Sequence, residues 1–427
     1  MTESTAEPTI LPRSEHNISR KNIDPDALKV LYRLSRNGFK AYLVGGCVRD
    51  LLLGRSPKDF DVATDATPEE VKKLFRNGFL VGRRFRLAHI RFGRHKVIEV
   101  ATFRRKPTAD ELPEDESDHF GFVENVFGDP ATDASRRDFT FNALFYDIDS
   151  FAVLDYTGGL EDLEQRRLRV IGDPPVRFTE DPVRMLRCLE FCARLDFTME
   201  EHVREAIYMQ APLIAEAAPA RIREEVMELF RHCVAAPVLR NAQAYGLLAP
   251  LLAGYEGTEE TFVLLEQLDK RTAGGRTIRE SLVVAALFLE RFRRLCSPEK
   301  GHAIPDVIRM AGQLITPHCN YFHIAHGTRH QARELLIGFF RMIRGRGKRG
   351  EKRFLQHPAT PDVVEFFGLW CEASGEGKEL HESWKEAVQN PPQPQQQQEQ
   401  QDGPKKKRRR RRGRRRPRRP SAPEGKN

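Results

Sequence analysis

No segment of this sequence approaches the run of about 18 apolar residues that a membrane-spanning helix needs. The stretch MTESTAEPTILPRSEHNISRK at the start is polar and lacks the apolar core of a secretory signal peptide. Apolar residues nevertheless make up 40% of the 427 residues, enough to build a buried core over most of the chain. We therefore expect a soluble, cytoplasmic protein.

Disulfide bonds and zinc-binding cysteine pairs are not expected either. The seven cysteines are scattered, their number is odd, and no CxxC pair occurs. The Walker A pattern GxxxxGK[ST] and internal repeats of fixed period are also missing. These absences favour a globular protein with reduced thiols, in which any phosphate chemistry uses another kind of loop.

The positive charge is concentrated at the C-terminal end. The formal net charge is +9, but the residues from Pro404 onward carry 14 Lys/Arg and one acidic residue, whereas the rest carries 56 Lys/Arg and 60 Asp/Glu. The basic segment follows the linker PPQPQQQQEQQDG, and neither composition can form a core, so both are predicted to be disordered. A dense polycation binds phosphate chains through counterion release, so we expect nucleic-acid contact. A solubilising tail or a nuclear-import signal is the alternative.

The apolar pattern changes once along the chain. Over roughly residues 25–165, alternating runs such as KDFDVAT and HKVIEVATF predict strands between amphipathic helices. From about residue 160 to 390 the periodicity is almost wholly helical. The predicted fold class is therefore α+β, with a small mixed-sheet head, an all-helical remainder and a disordered basic tail. Residues 1–24 are expected to form a flexible arm.

Two carboxylates lie two residues apart in DFDVAT. Asp59 and Asp61, at i and i+2 of a predicted strand, would share one face of the sheet. Adjacent carboxylates repel unless a cation lies between them, and Mg²⁺ prefers oxygen ligands and phosphate oxygens. Glu99, on a neighbouring predicted strand, could complete the site. Three carboxylates can hold two metal ions, which stabilise the attacking and leaving oxygens of phosphoryl transfer.

A glycine pair in YLVGGCVRDLLLG closes the preceding strand. Gly45 and Gly46 allow the backbone to approach a phosphate, and the helix that follows offers free N–H groups. Arg49, one turn into that helix, could reach the same anion. Alone the glycine pair predicts only a turn, but next to the aspartate pair it indicates a phosphate site.

Together these motifs resemble the class II nucleotidyltransferases of the polymerase-beta superfamily, which include bacterial poly(A) polymerases and tRNA CCA-adding enzymes. The resemblance covers about residues 17–260. The motifs that carry it are LVGGCVRDLLLG, DFDVAT, RRDFTFNAL and EDPVRMLR. The domains it implies are a nucleotidyltransferase head over 25–165, a helical neck and RNA-binding body over 166–265, a helical C-terminal domain over 266–390, and a linker with an RNA-binding tail over 391–427.

The resemblance also implies roles for single residues. The aspartate pair, with Glu99, would be the catalytic carboxylates, and the pair would bind two Mg²⁺. The glycine turn would hold the triphosphate of ATP, and RRDFTFNAL would position its sugar and phosphates. The implied nucleotide-binding residues are Gly45, Gly46, Arg49, Arg136, Arg137, Asp138, Asn142, Asp181 and Arg184.

The last two of these residues, in EDPVRMLR, also have a physical interpretation. Asp181 and Arg184 lie three apart on a predicted helix that Thr179 caps, which sets an acceptor beside a donor. Such a pair can read a base edge as a partner base would, and in the family it reads the nucleobase. The alternative is a capped helix with a surface ion pair of little energetic value.

Three features favour the poly(A) polymerase branch of that family. They are the segment Leu80–Arg104, the acidic insert ending ENVFGDPATDASRRD, and the arginine-rich tail. We expect a template-independent RNA 3′-adenylyltransferase that extends RNA 3′ ends from ATP and releases pyrophosphate. A CCA-adding tRNA nucleotidyltransferase is the nearest alternative, and a noncatalytic RNA-binding protein on the same fold is the third. The preferred RNAs, processivity, selection of ATP over CTP, oligomeric state and protein partners such as RNA-decay factors stay open.

Overall fold

The computed structural model describes residues 7–82, 87–107, 111 and 126–390. Most of the acidic insert, and the segment 391–427 that is predicted to be disordered, lie outside these residues. The strands are β1 (Thr9–Leu11), β2 (Ala41–Val44), β3 (Asp61–Thr64), β4 (Gly78–Val81), β5 (Leu87–Phe92), β6 (Lys96–Thr102), β7 (Leu144–Asp147), β8 (Val153–Asp155), β9 (Arg167–Leu168) and β10 (Thr198–Met199).

The helices fall into two groups. Those among or just after the strands are α1 (Pro25–Arg36), α2 (Gly46–Leu52), α3 (Pro68–Leu74), α4 (Pro130–Arg136) and α5 (Gly159–Glu164). Those of the helical remainder are α6 (Pro174–Glu180), α7 (Val183–Leu195), α8 (Glu201–Gln210), α9 (Pro219–Arg231), α10 (Ala235–Ala244), α11 (Leu248–Leu251), α12 (Glu259–Ala273), α13 (Glu280–Leu295), α14 (Ile304–Tyr321), α15 (His326–Ile343), α16 (Glu351–Leu355), α17 (Thr360–Ser374) and α18 (Lys378–Gln389).

Eight of the strands form one mixed sheet in the order β1-β8-β7-β2-β3-β6-β5-β4. The pair β3–β6 is parallel, and the crossover between its strands contains α3 and the hairpin β4–β5. Alternate residues of β3 face opposite sides, because Val62 packs into the main core while Ala63 joins a smaller cluster with Val44 and Phe145. The central strands are therefore covered by apolar contacts on both faces.

The remainder of the described chain is helical apart from the short parallel pair β9–β10. One apolar cluster extends from Leu43 in the sheet through Phe191 in α7 to Phe340 in α15. The predicted α+β architecture, with a mixed-sheet head before helices, is confirmed. Among the helices of the described ranges, none is long and apolar enough to cross a membrane.

The predicted flexible arm over residues 1–24 is wrong for the part described, which begins at residue 7. β1 pairs with β8, with Thr9 opposite Asp155. Ile18 and Ile23 are buried in the main core, and a ring nitrogen of His16 lies 2.8 Å from the carbonyl oxygen of Phe151. A strand of three residues is too short for its alternation to be recognised in a polar stretch, and its partner lies far along the chain.

Candidate active site

Asp61 and Glu99 lie side by side on the parallel strands β3 and β6. They are register partners in this pair. Both point to the face of the sheet that carries Ala63, because their neighbours Val62 and Val100 pack into the main core on the other face. The prediction that Glu99 lies on a strand next to Asp61 is confirmed.

The carboxyl group of Asp61 is held in an unfavourable electrostatic setting. Loss of hydration and then the charge of Glu99 raise the pKa of Asp61 to about 6, with a further contribution from Asp59, while Arg137 opposes the rise. The Asp61 side chain still reaches solvent. On the other side of Glu99, Nε2 of His89 lies 3.4 Å from its Oε1. Two adjacent anions that remain open to solution suit a divalent cation, which would relieve their repulsion.

Asp59 does not lie on the strand, contrary to the prediction that both aspartates share one face of it. β3 begins at Asp61, which pairs with Val44, the last residue of β2. Asp59 precedes the strand, is exposed, and is still close enough to raise the pKa of Asp61. In the part of the chain that the structure describes, no group of three or more His, Cys, Asp or Glu side chains is arranged to hold a metal ion.

The turn after β2 requires glycine. Gly45 has φ 76° and ψ −133°, a backbone conformation that residues with a Cβ rarely adopt. A Cβ at this position would also lie 3.3 Å from Nη1 of Arg137. The N–H of Gly45 donates to the carbonyl of Leu144 in β7 at 3.2 Å, which ties the turn to the sheet. Gly46 then begins α2, whose first-turn N–H groups lack carbonyl partners within the helix.

Arg137 is the cation that the fold brings to this turn. Its Nε and Nη2 donate to Oδ2 of Asp133 at 3.1 and 2.9 Å, and its guanidinium lies 5.5 Å from the ring centroid of Phe145. A quarter of the side chain stays exposed. Since Arg137 also lowers the pKa of Asp61, it supplies positive charge to both the glycine turn and the carboxylates. Neighbouring Arg136 is half-buried, and its carbonyl accepts a hydrogen bond of 2.6 Å from Arg177.

Arg49 is placed differently from the expectation that it reaches a phosphate. The residue is only 4% exposed. Its Nη1 donates to Oδ1 of Asn142 at 2.6 Å, its Nε donates to Oδ1 of Asp50 at 2.8 Å, and its guanidinium lies 5.2 Å from the ring centroid of Phe191. With these contacts made, the geometry supports a positioning role for Arg49 within the protein.

The same network continues from Asn142 to the helical remainder. Nδ2 of Asn142 donates to Oδ1 of Asp138 at 3.4 Å, and Oδ2 of Asp138 accepts from Nε and Nη2 of Arg187 in α7 at 2.9 and 2.7 Å. Burial would raise the pKa of Asp138, but the charge and hydrogen bonds of Arg187 lower it below its usual range. The predicted residues Arg49, Asn142 and Asp138 therefore form one connected group that joins α2 to α7.

The predicted helix shared by Asp181 and Arg184 is wrong. α6 ends at Glu180, Asp181 is extended with φ −150° and ψ 92°, and α7 begins at Val183. The break follows from Pro182, which lacks an N–H and disfavours helical backbone at the residue before it. Thr179 lies within α6, where its hydroxyl donates to the carbonyl of Pro175 rather than capping α7.

The two side chains nevertheless lie near each other. Oδ1 and Oδ2 of Asp181 accept from Nη1 and Nη2 of Arg221 in α9 at 2.7 and 2.8 Å. Nε of Arg184 lies 4.0 Å from Oδ2 of Asp181, and its Nη1 donates to the carbonyl of Arg177 at 3.0 Å. Asp181, the acceptor of the predicted base-reading pair, thus already accepts hydrogen bonds from Arg221.

Arg187 and Arg221 were not among the predicted site residues. Arg187 stands in the motif EDPVRMLR, three residues after Arg184, and this helical spacing was the one signal available. Arg221 stands in ARIREEVMELF, 40 residues after its partner Asp181. Only tertiary packing brings α9 to that carboxylate.

Comparison with known proteins agrees with this geometry. Three family models match: the poly A polymerase head domain at residues 41–169, the probable RNA and SrmB-binding site of polymerase A at 196–257, and the polymerase A arginine-rich C-terminus at 301–419. Poly(A) polymerase I of Salmonella typhi is 39% identical over 406 residues, which cover 90% of this chain and 86% of that protein. The chain belongs to the poly(A) polymerase I family. It is therefore a nucleotidyltransferase.

Other relatives support the same branch of the superfamily. Poly(A) polymerase I of Haemophilus influenzae is 37% identical, over 88% of this chain and 87% of that protein. The CCA-adding enzyme of Lactobacillus helveticus is 39% identical, but over 48% of this chain and 49% of its own length. The family match therefore extends beyond residues 17–260, because the model of the polymerase A arginine-rich C-terminus matches residues 301–419.

Solved structures share the fold. The Bacillus stearothermophilus CCA-adding enzyme in complex with CTP superposes with a TM-score of 0.63 at 26% identity, over 85% of this chain and 82% of that one. The Thermotoga maritima CCA-adding enzyme complexed with tRNA has a TM-score of 0.60 at 20% identity, over 89% of this chain and 86% of that one. The arrangement of head and helices is thus common to both kinds of enzyme.

Proposed function

We propose that this chain adds adenylate residues to RNA 3′ ends from ATP, without a template, and releases pyrophosphate. The observation that carries the proposal is the pair Asp61–Glu99, which opens to solvent beside the glycine turn at Gly45 and the guanidinium of Arg137. Nucleotidyl transfer needs three parts: carboxylates that bind metal ions, a cation that binds phosphates, and a turn that lets the backbone approach the phosphates.

The carboxylates fit magnesium, because their mutual repulsion raises the pKa of Asp61 and a divalent cation would remove that cost. We propose Asp59 and Asp61 as the ligands, with Glu99 as the third carboxylate beside them. Two magnesium ions held there would supply the positive charge that stabilises the attacking 3′-oxygen and the departing pyrophosphate. In the reaction a bond forms between that oxygen and the α-phosphorus. The bond from the α-phosphorus to the oxygen that bridges to the β-phosphorus breaks, pyrophosphate leaves with that oxygen, and the hydroxyl proton passes to solvent.

The chain's own residues would hold ATP in place for this reaction. Arg137 offers a partly exposed guanidinium next to the turn, and the first-turn N–H groups of α2 after Gly45 are available to a phosphate oxygen. Arg49 and Asn142 keep that turn in register with the sheet. Asp138 and Arg187 would act through the same network, as positioning residues.

The nucleobase would be read at the break between α6 and α7. We propose that Arg184 donates to the acceptor nitrogen on the pairing edge of adenine. Asp181, already bonded to Arg221, would act mainly by holding this part of the pocket in shape. Reading by fixed side chains replaces a nucleic-acid template, because the donors and acceptors are pre-placed.

RNA binding is proposed for the helical body and for the basic tail. The family match at 196–257 describes a probable RNA-binding site, and the tail carries the polycation that favours nonspecific phosphate contact. We propose a cytoplasmic location, where both ATP and RNA are present.

An extension assay with Mg²⁺ tests the proposal. Each NTP is supplied separately, with a generic RNA and with a tRNA that lacks its CCA end. Long tails made from ATP alone on both RNAs are expected. Short addition confined to the tRNA and dependent on CTP would establish a CCA-adding enzyme. Asp61→Asn is the inactive control, and RNA binding without extension by the parent chain would point to a noncatalytic protein.

A further inference from the structure

A second basic site lies far along the chain from the active site, in the C-terminal helices. A cavity of about 820 Å³ opens between α14, α15 and α16, and the start of α17 also lines it. This volume is within the range of ligand-binding clefts. Arg341, Arg344, Arg349 and Arg353 line it together, against a single acidic residue, Glu334.

These four arginines differ from their neighbours in having no carboxylate partner among the described residues. Arg346, in the same segment, donates to Oε1 of Glu351 at 2.7 Å. Many other arginines of this helical region are also paired, as Arg309 is with Asp306 at 2.8 Å and Arg276 with Glu365 at 3.0 Å. Carboxylates therefore balance the charge of Arg346, Arg309 and Arg276, whereas the four arginines that line the cavity have only Glu334 among them.

The unbalanced charge is held close together. Arg341 is half-buried, and its burial, with the charges of Arg344 and Arg353, lowers the pKa of its guanidinium, while Glu334 opposes that effect. Keeping like charges together in a partly desolvated cavity is unfavourable unless an anion enters. Guanidinium groups in such a setting match the paired oxygens of phosphate groups.

Apolar side chains also line the cavity. They include Ile308, Ile337 and Phe354, and the guanidinium of Arg341 lies 5.8 Å from the ring centroid of Phe354. A lining that combines arginines with apolar side chains suits a nucleotide chain, because it offers partners for both phosphates and bases. An acidic peptide would balance the arginine charges, but its acidic side chains would not pack against the apolar residues of the cavity.

The sequence that follows α18 strengthens this assignment. Trp384 of α18 lines an adjoining cavity together with Arg341, Arg344 and Arg349. The helix ends at Gln389, and the chain then leads through the Pro/Gln linker into the polybasic segment. A strand of RNA held in the cavity would therefore lie on the part of the fold from which the polycation departs.

We propose that this cavity is a subsite for single-stranded RNA upstream of the 3′ end being extended. The proposal rests on the RNA-extending function proposed above. A subsite separate from the active site contributes binding free energy only to RNAs long enough to occupy both. It would thus favour long primers over short ones without touching the reacting atoms.

The test uses the full chain and oligoadenylate primers of increasing length. The double variant Arg341→Gln/Arg353→Gln is compared with Arg276→Gln/Arg309→Gln, which removes the same charge from exposed, paired arginines of the same region. For short primers, kcat/KM of both double variants should match that of the parent chain. For primers above a threshold length, kcat/KM should fall about fivefold in Arg341→Gln/Arg353→Gln only. The slope of log affinity against log salt should then shrink by about 1.4, since each phosphate contact on single strands accounts for about 0.7.

Two further measurements distinguish an RNA subsite from a general effect of the substitutions on the protein. Arg341→Lys/Arg353→Lys should keep most of the long-primer activity, because lysine still binds phosphate as a point charge. Anisotropy of a labelled long oligoadenylate measures the subsite without catalysis, so it decides the proposal even if no primer is extended. Equal values for the two Gln variants at every length, or an equal loss on the shortest primers, would overturn the RNA subsite. The first of these outcomes would leave an acidic protein segment as the occupant to test.

Discussion

Asn142 accepts a hydrogen bond of 2.6 Å from the buried guanidinium of Arg49, and it donates one to Asp138, the partner of Arg187. A single amide thus connects α2, the helix after the glycine turn, with α7 of the helical remainder. The head and the helical remainder share a polar network as well as an apolar core, so the shape of the candidate ATP site depends on both.

We predict that Asn142→Ala lowers both stability and activity. The substitution leaves a buried guanidinium with one fewer acceptor, which costs about 1–3 kcal/mol of unfolding free energy. It also frees the glycine turn, so kcat/KM for ATP should fall about tenfold. Denaturant unfolding and ATP kinetics measure the two effects. Asn37→Ala, at an exposed helix end, is the control and should change neither much. Unchanged ATP kinetics in Asn142→Ala would remove the network from the mechanism.

The raised pKa of Asp61 predicts that protons and magnesium compete. A carboxyl group with a pKa of about 6 is mostly protonated at pH 5 and mostly ionised at pH 7.5. Magnesium should therefore raise Tm clearly at pH 7.5 and much less at pH 5. Asp61→Asn should abolish the difference, whereas Asp65→Asn, at an exposed aspartate that accepts from the backbone of Lys40, should keep it. A magnesium effect independent of pH would contradict this assignment.

The same shift has a consequence without metal. In the folded protein the pKa of Asp61 is about 6, above the ordinary value of 3.8. Between pH 3.8 and about 6, the folded protein therefore binds more protons than the unfolded chain. The contribution of Asp61 to stability therefore decreases as pH rises from about 4 to 6 and is constant above that. Chelated protein should show this loss, and Asp61→Asn should lack it.

Arg221 is predicted to affect the choice of nucleotide. Both oxygens of Asp181 are bonded to Arg221, so Arg221→Gln would free that carboxylate to accept from other groups, including the amino group of cytosine. The preference for ATP over CTP, measured as a ratio of kcat/KM values, should fall by about fivefold to tenfold. Arg223→Gln, on the same helix, breaks the pair with Glu280 and should leave the ratio unchanged. Equal ratios in both variants would separate Asp181 from base reading.

The basic tail is predicted to capture RNA without taking part in chemistry. A chain that ends at Gly403 should show a KM for RNA raised by about tenfold or more, a flatter salt dependence and an unchanged kcat. The matched control keeps the tail length but replaces its Lys and Arg residues with Gln, and it should behave like the truncated chain. A lower kcat with an unchanged KM for RNA would rule out the capture role.

Much of the head could be predicted because its signals are local. Alternation in HKVIEVATF predicts β6, and in the structure the capping box of Thr67 and Glu70 lies at the start of α3. Errors arose where a partner far along the chain decides the outcome, as for β1. They also arose where a single residue overrides a pattern, as Pro182 does between α6 and α7.

By itself, then, the sequence determined the fold class, the glycine turn, the strands that carry Asp61 and Glu99, and the family to which the chain belongs. Each of these depends on short patterns of residue type and spacing. Tertiary structure alone decided which groups meet. It placed Glu99 in register with Asp61 and buried Arg49 against Asn142. It also brought Arg221 of α9 to donate hydrogen bonds to the carboxylate of Asp181. Such contacts depend on how separate elements pack, and no local pattern encodes the distance between them.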